Sequence, residues 1–586
     1  MFRSLSLIAA CFLCANTFAA DEPLQPILDL HKSGKLFEKS ESKAVRTAAA
    51  KVFETRSAAV IKDAFGEDFE AIAAWFEKNK EVKEEFFSAI QQQKDDVPKV
   101  LEIFRNLWKD DKEAVGKYFN LAIAVSVVWD NPKAVYDYRG HQVRTKSRLP
   151  EDYLKYGPRE EFKYHIAHAK AVQGKENFNR MEVLPWEFLV YVVDHRTPVE
   201  EREWAIKNYV AKRPMIGKIY HEIEYDKVML ETQSKVCKLN DHDYTLQEIK
   251  SVGGVCAMQA DFAARVGKSL AVPAAYVRGQ SQDLGQHAWV MWVEIKSASK
   301  TGVQFKLESW GRYLGDNYYT GELIEPQTGE EILDRDMERR LSAAATDRTG
   351  KRQADLVMQF YSDVATASEL DPKKKVQYLL NSLKLSVFNE AAWIELARMC
   401  AAGEIPAESK SFVLEQTEWL LRAFAQYPDF TWKVAGDLLT LQKDKLIRNR
   451  FYERLAILYE TANRPDLTCE ARLKWAELLG EEKSWTTAAT GLSYTIKKFP
   501  DEGRYVPRML TKLKETCDQF TSGKEYLGKT YLELLRKVNP KRGTEVTKYF
   551  ASTSAEALAF FQTEKKTKEA TEVEGIRRRV GLTNSR

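Results

Sequence analysis

The chain has 586 residues, 44% of them hydrophobic and 30% charged, with 89 Lys and Arg against 85 Asp and Glu. A net charge of +4 excludes the strong basic excess of a dedicated nucleic-acid binder, and 28 Gly with 18 Pro exclude a collagen-like or low-complexity chain. At about 150 residues per domain, the length predicts roughly four folded units, each long enough to bury a core.

The N-terminus carries Arg3, an apolar run from Leu5 to Ala15, and a small-x-small site at Thr17-Phe18-Ala19 before the polar Asp21-Glu22-Pro23. This is the pattern of a secretory signal peptide over residues 1–19. The run is too short to span a bilayer. Ile8-Ala9-Ala10-Cys11 loosely matches a bacterial lipoprotein box, which makes lipidation at Cys11 the lesser alternative. No later stretch reaches 18 uninterrupted apolar residues, so no transmembrane segment is expected in the mature chain. The expected location is periplasmic or extracellular.

Residues 20–180 read as a helical N-terminal region. Ala48 to Phe53 and Val100 to Trp108 have helical apolar spacing, and Tyr118 to Trp129 is apolar enough for a buried helix. Asp130-Asn131-Pro132 ends that helix, and residues 133–180 read as polar and irregular. Residues 181–345 have a mixed α+β texture. Leu189 to Val193, Ala274 to Val277, Ala288 to Val293 and Val303 to Leu307 are β-rich. Residues 346–563 are helical again. Trp393, Trp432 and Trp475 recur at spacings of about 39 and 43 residues, the texture of stacked helical hairpins in an irregular, TPR-like α-solenoid. Residues 564–586 form a charged tail with Arg577-Arg578-Arg579, expected to be solvated or frayed.

Seven cysteines are too few for a disulfide-dense module. Loss of the signal segment removes Cys11 and Cys14 and leaves Cys237, Cys256, Cys400, Cys469 and Cys517, an odd number. At least one is therefore unpaired within a monomer. There is no CxxC and no zinc-like Cys/His spacing, so neither a metal nor a cofactor is expected. Asp241-His242-Asp243 reads as a polar loop, and Cys237, Cys400, Cys469 and Cys517 read as packing residues.

Cys256 stands apart. Gly253-Gly254-Val255 precedes it, and Ala257 to Val266 has helical spacing, with Gly267 placed to cap the end. A thiol at a helix N-terminus meets free N–H groups that favour thiolate. The two glycines allow a sharp turn and leave room at the sulfur. His287, at the start of a strand in Gly285-Gln286-His287-Ala288-Trp289, is the candidate base. Glu308 on the next strand is the candidate orienting acid, across a hairpin turn within Lys296 to Gly302. A hairpin centred on residue 299 pairs His287 with residue 311, so Glu308 needs a bulge to reach it, and Asp316 is the weaker substitute. The Cys256 N–H is a natural oxyanion donor, and the second donor is not identified. Gln259 reads as packing or bonding locally. Tyr318-Tyr319 and Pro326-Gln327-Thr328-Gly329 read as core and turn residues.

Gly-Gly-Val-Cys256 on a helix, then Val272-Pro273-Ala274-Ala275-Tyr276-Val277-Arg278-Gly279, then His287-Ala288-Trp289-Val290 resembles the bacterial transglutaminase-like superfamily. Asp194 to Ala205 resembles its lead-in, so the resemblance covers about 160 residues. It implies a papain-like core with a Cys-His-Asp triad, Cys256 as nucleophile and His287 as base. Glu308 stands where the family has Asp, often followed by Pro. The implied chemistry is acyl transfer from a protein or peptide amide to an amine or to water. The alternative is an inactive scaffold of the same fold that holds a protein partner on its helical repeats.

Overall fold

The computed structural model describes residues 22–280, 285–299, 302–310, 320–542 and 544–582. The signal segment with Cys11 and Cys14, and also Asp316, Tyr318 and Tyr319, lie outside the described residues. The molecule is mostly helical, with one five-stranded antiparallel sheet and a two-stranded ribbon far along the chain. Among the described residues no helix is long and apolar enough to cross a membrane.

The five-stranded sheet comprises β1 (Ala274–Gln280), β2 (Gln286–Ser299), β3 (Gly302–Trp310), β4 (Glu322–Ile324) and β5 (Glu331–Leu333), in the order β3-β2-β1-β4-β5. Alternation along the strands gives it two apolar faces. Ala275, Val277, Trp289, Met291 and Val293 join a core that runs from Ala50 to Ala344 and takes in Phe86, Phe104, Val125 and Leu189. Ala274, Ala288, Val290 and Trp292 face the other way, onto Phe262 and Val266 of the helix Cys256–Ser269. Both faces are therefore covered by helices, and the N-terminal helices share one core with the sheet.

Local texture misleads at several points, each for a physical reason. Leu189 to Val193, expected as strand, belongs to the helix Trp186–Val193. Seven of its residues, Glu187 to Val193, are buried, and an apolar run buried on all sides has no period to read. Residues 133–180, expected to be irregular, contain the 16-residue helix Pro158–Gln173. Its buried face includes Glu161 and His165, so the apolar stripe is broken by polar residues that have found partners. Gly267 does not end the central helix, which continues to Ser269. A Cβ at Gly267 would come within 3.2 Å of the Ala274 Cβ, so the glycine lets β1 lie close against the helix. The described part of the charged tail, expected to be solvated or frayed, is helical instead. The helix Thr567–Arg579 buries Ala570, Val573 and Ile576 at a three-residue spacing, and Arg577 donates to the Ser554 hydroxyl at 2.8 Å.

After the sheet, helical hairpins follow one another. Examples are Pro372–Leu385 with Glu390–Ala401, Lys445–Thr461 with Pro465–Glu481, and Trp485–Lys498 with Val506–Cys517. Each covers the apolar face of the next, as expected of repeats that lack a core of their own. The first of this region's helices also pack on the N-terminus. Gln353 donates to the carbonyls of Leu36 and Glu38 at 3.0 Å, and Ala354 and Val357 share a core with Ala48 and Val52. Further on, Arg504 reaches the Gln280 carbonyl at the end of β1 at 3.4 Å.

The central helix is buried at every residue from Ala257 to Ser269, although it carries Asp261, Arg265 and Lys268. Each charge has partners. Arg265 meets Glu201 at 2.6 Å and the Thr197 hydroxyl at 2.9 Å, and its guanidinium lies 4.0 Å over the Tyr138 ring. Lys268 bonds Asp194 and donates to the Tyr191 carbonyl at 2.9 Å. Alongside, Arg202 holds Glu161 at 2.6 Å, and Glu161 also meets His165 at 2.7 Å. Burial pushes Glu161 up, but Arg202 and His165 outweigh it and leave the carboxyl below its ordinary value.

The β4–β5 turn plugs into the N-terminal helices. Gln327 donates to the Ala89 carbonyl at 3.0 Å and to Asp95 at 2.9 Å, and Asn131 donates to the Thr328 carbonyl at 3.0 Å. Gly329 has φ +68°, and a Cβ there would meet the Asn131 side chain at 2.9 Å. Burial pushes Asp95 up to about 8, with Asp130 and Glu325 adding to it against hydrogen bonds from Gln91 and Gln327. Burial likewise pushes Asp130 up to about 7.

Two outcomes follow from these buried charges. Glu201→Gln leaves Arg265 without its closest counter-charge and should cost about 3–5 kcal/mol of stability, read from denaturant midpoints. A loss under about 1 kcal/mol would contradict the packing described. Asp95 binds a proton in the folded chain that the unfolded chain releases near 3.8, so its contribution turns against folding as pH rises from about 4 to about 8. Asp95→Asn should therefore gain stability over wild type across that window, by about 5 kcal/mol at pH 8.5 relative to pH 4. An equal effect at both pH values would count against a protonated Asp95.

Candidate functional site

The site begins with the turn that starts the central helix. Gly254 N–H donates to the Glu224 carbonyl at 2.9 Å, and Asp226 N–H donates to the Gly254 carbonyl at 3.0 Å. The chain at 224–226 therefore runs directly along the glycines. Gly253 has φ +93°, and a Cβ there would strike the Glu224 carbonyl oxygen at 2.5 Å. A Cβ at Gly254 would strike the Met258 Cβ at 2.5 Å. Gly253 is needed for this backbone approach and Gly254 for the seat of the Met258 side chain, rather than to leave room at the sulfur. Val255 is extended and Cys256 is the first helical residue.

Cys256 is half-buried, as is Cys237, whereas Cys400, Cys469 and Cys517 are buried. None of the five is in a disulfide. Burial pushes the Cys400 and Cys517 thiols up to about 12 and Cys469 well above its ordinary range. These three are packing residues. Cys237 lies against the Met229 sulfur at 3.5 Å.

The Cys256 thiol is also raised, which corrects the expectation of a thiolate. Burial is the largest influence and pushes it up. The main-chain N–H groups of Ala288 and Ala257 and the charge of Arg144 pull it down, without cancelling the burial. The helix N-terminus therefore moderates the thiol rather than ionising it. Arg144 holds its place by donating to the Ser234 hydroxyl at 2.8 Å, and among the described residues no carboxylate pairs with it.

The influence of the Ala288 N–H fixes where the sulfur sits: beside the peptide that joins His287 to Ala288. The structure thus brings the Cys256 sulfur to the backbone beside His287, whereas the His287 ring lies on the Trp289 face of β2, away from the Cys256 helix. His287 is half-buried, pairs with Gly279 across β1 and β2, and lays its ring over Trp289 at 6.2 Å. Among the described residues no hydrogen bond joins the Cys256 sulfur to an imidazole.

Glu308 is not brought to them. The expected bulge is present, between Ile295 and Ser297, but the hairpin turns after Ser299 and before Gly302, later than a centre at 299. Glu308 consequently pairs with Trp292, five residues along β2 from His287 and about 16 Å away at the rise of a strand. An odd separation also puts it on the opposite face. Its carboxylate meets Lys306 at 3.3 Å. Glu308 is a surface ion-pair residue, not the orienting acid.

On the helix side the site is lined by residues that sequence reasoning passed over. Tyr276 projects from β1 onto the same core as Cys256, and the charge of Cys256 is the strongest electrostatic influence on its phenol after burial. Tyr136 stacks on the Tyr276 ring at 5.7 Å, and His141 meets it edge-on at 5.1 Å. The Tyr136 hydroxyl donates to Asp261 at 2.8 Å and lies 3.2 Å from Nε2 of His141. Tyr276 had a signal, the alternation of β1. His141 and Arg144 had none, lying in the short helix Arg139–Thr145 more than a hundred residues upstream.

Gln259 donates to the Ile223 carbonyl at 2.9 Å and is a local tie. His242 is bonded to Glu248 at 3.0 Å and Asp243 to Arg148 at 2.8 Å. Among the described residues no group of three His, Cys, Asp or Glu is arranged to hold a metal ion. Comparison with protein-family models, curated proteins and solved structures returned no match.

The balance at the sulfur is testable. Arg144→Ala removes one of the influences that lower the thiol, so the midpoint of the pH–rate profile for iodoacetamide at Cys256 should move upward. An unchanged or lowered midpoint would show that the guanidinium does not act on the sulfur.

Proposed function

We propose that this protein is a cysteine-dependent acyltransferase or amide hydrolase of the transglutaminase-like kind, with Cys256 as nucleophile and His287 as base. One observation carries the reading: the start of a wholly buried helix delivers a half-buried thiol to the peptide bond that follows His287. A raised thiol fits a base-assisted mechanism. The resting site holds S–H rather than a standing thiolate, so the proton must leave as the sulfur attacks.

In this mechanism His287 takes the thiol proton, and the sulfur bonds to the carbonyl carbon of an amide. The carbonyl electron pair moves to oxygen. The tetrahedral adduct collapses, and the leaving amine departs with the proton from His287. Water or an amine, deprotonated by His287, then attacks the thioester, and the sulfur leaves and recovers a proton. Exported proteins or peptides are the substrates this reading proposes, with export resting on the leader-like residues 1–19. The helical hairpins after residue 346 would hold a protein partner.

A second reading is an inactive scaffold that keeps the fold and binds through those hairpins. It is favoured by two observations, the His287 ring on the sheet face away from the Cys256 helix and the placement of Glu308 away from His287.

The two readings part on one assay. For the enzyme, iodoacetamide at neutral pH labels Cys256 ahead of Cys237, the other half-buried thiol, and His287→Ala slows that labelling roughly tenfold. Equal labelling of Cys237 and Cys256, or a rate indifferent to His287→Ala, would favour the scaffold.

A further inference from the structure

An acyl-transfer site needs two donors for the oxygen that becomes negative in the tetrahedral adduct. The Cys256 N–H supplies one. Gln259, one turn further along the helix, is committed to the Ile223 carbonyl. We propose that the Tyr276 hydroxyl is the second oxyanion donor of the Cys256 site, with Tyr136 and His141 as its positioning residues. The inference rests on the acyl-transfer reading above and adds a catalytic residue to it.

Three observations support it. The first is place. Tyr276 and Cys256 pack on one core, from a strand and a helix start that face each other. The second is rigidity. The Tyr276 ring is clamped between a stacked ring and an edge-on ring, and both clamping residues are tied through the Tyr136 hydroxyl to the buried Asp261. Asp261 lies on the same helix as Cys256, so nucleophile and proposed donor are referred to one rigid element. The third is protonation. Burial, and the Cys256 charge after it, raise the phenol above its ordinary range, so it stays an O–H donor throughout the working pH range. Tyr276 is half-buried rather than sealed in the core.

The step balances without any further reagent. The thiolate forms a C–S bond, and the carbonyl π pair moves to oxygen. Tyr276 donates a hydrogen bond to that oxygen and keeps its proton. On collapse the C=O bond re-forms, the leaving group takes the electron pair of its bond to carbon, and the hydrogen bond relaxes.

The test contrasts two reagents at the same sulfur. p-Nitrophenyl acetate acylates Cys256 through an oxyanion, whereas iodoacetamide alkylates it by direct displacement, with no oxyanion. In the full chain, Tyr276→Phe keeps the ring and its clamp and removes only the hydroxyl. Acetylation of Cys256, followed by peptide mass, should slow roughly tenfold to a hundredfold, while alkylation stays within about twofold of wild type. Tyr136→Phe, which cuts the tie to Asp261, should slow acetylation less and spare alkylation. Equal slowing of both reactions by Tyr276→Phe would make Tyr276 a residue that shapes the thiol and overturn the proposal. Unchanged acetylation would overturn it as well. If wild-type Cys256 reacts with neither reagent, the acyl-transfer reading falls and takes this inference with it.

Discussion

The structure depends on keeping charges buried along one helix. Cys256–Ser269 is enclosed on all sides, yet Asp261, Arg265 and Lys268 project from it. A lone ion in such a place would cost several kcal/mol. Each is instead matched from a different part of the chain: Arg265 by Glu201 and Thr197, Lys268 by Asp194 and the Tyr191 carbonyl, Asp261 by Tyr136. The helix is locked in rotation and along its axis, because a slip of one residue would strand three charges. This places its first residue, Cys256, against the start of β2. The partners come from residues 136–201, which explains why the N-terminal helices and the sheet share a core.

Such enclosure has a chemical consequence at the sulfur. Burial and the helix N-terminus act in opposite directions on a thiol, and burial wins at Cys256 even with Arg144 helping the N–H groups. Burial thus keeps the Cys256 thiol protonated, with the backbone between His287 and Ala288 beside it. In the proposed mechanism this makes attack coupled to proton transfer the favoured course over a preformed ion pair. A polar cluster of Tyr276, Tyr136, His141 and Asp261 packs beside the thiol, tied to the same helix. The acid that would orient His287 is not Glu308, which the strand register carries to the opposite face.

Much of this was legible along the chain. The glycine pair, the helix start and the strand with His287 are local patterns, and β1, β2 and β3 fall where β-rich texture placed them. What escaped was non-local. A hairpin register is set by where the turn closes, and a turn that closes between Ser299 and Gly302 carries Glu308 further from His287. The helix Pro158–Gln173 hides its period because Glu161 and His165 sit on its buried face, satisfied by Arg202 from another helix. His141 and Arg144 enter the site through tertiary contacts that no spacing announces. The pull of a helix start toward thiolate is visible in a sequence, whereas the burial that outweighs it at Cys256 is not.

Site-resolved hydrogen exchange along Cys256–Ser269 tests the central claim most directly. If the buried charges lock this helix, its amides from Ala260 to Lys268 should exchange only with global unfolding, with one shared free energy of opening. Glu201→Gln should lower that shared value for the whole helix together. Exchange that is fast and graded from the Cys256 end, and indifferent to Glu201→Gln, would contradict the account.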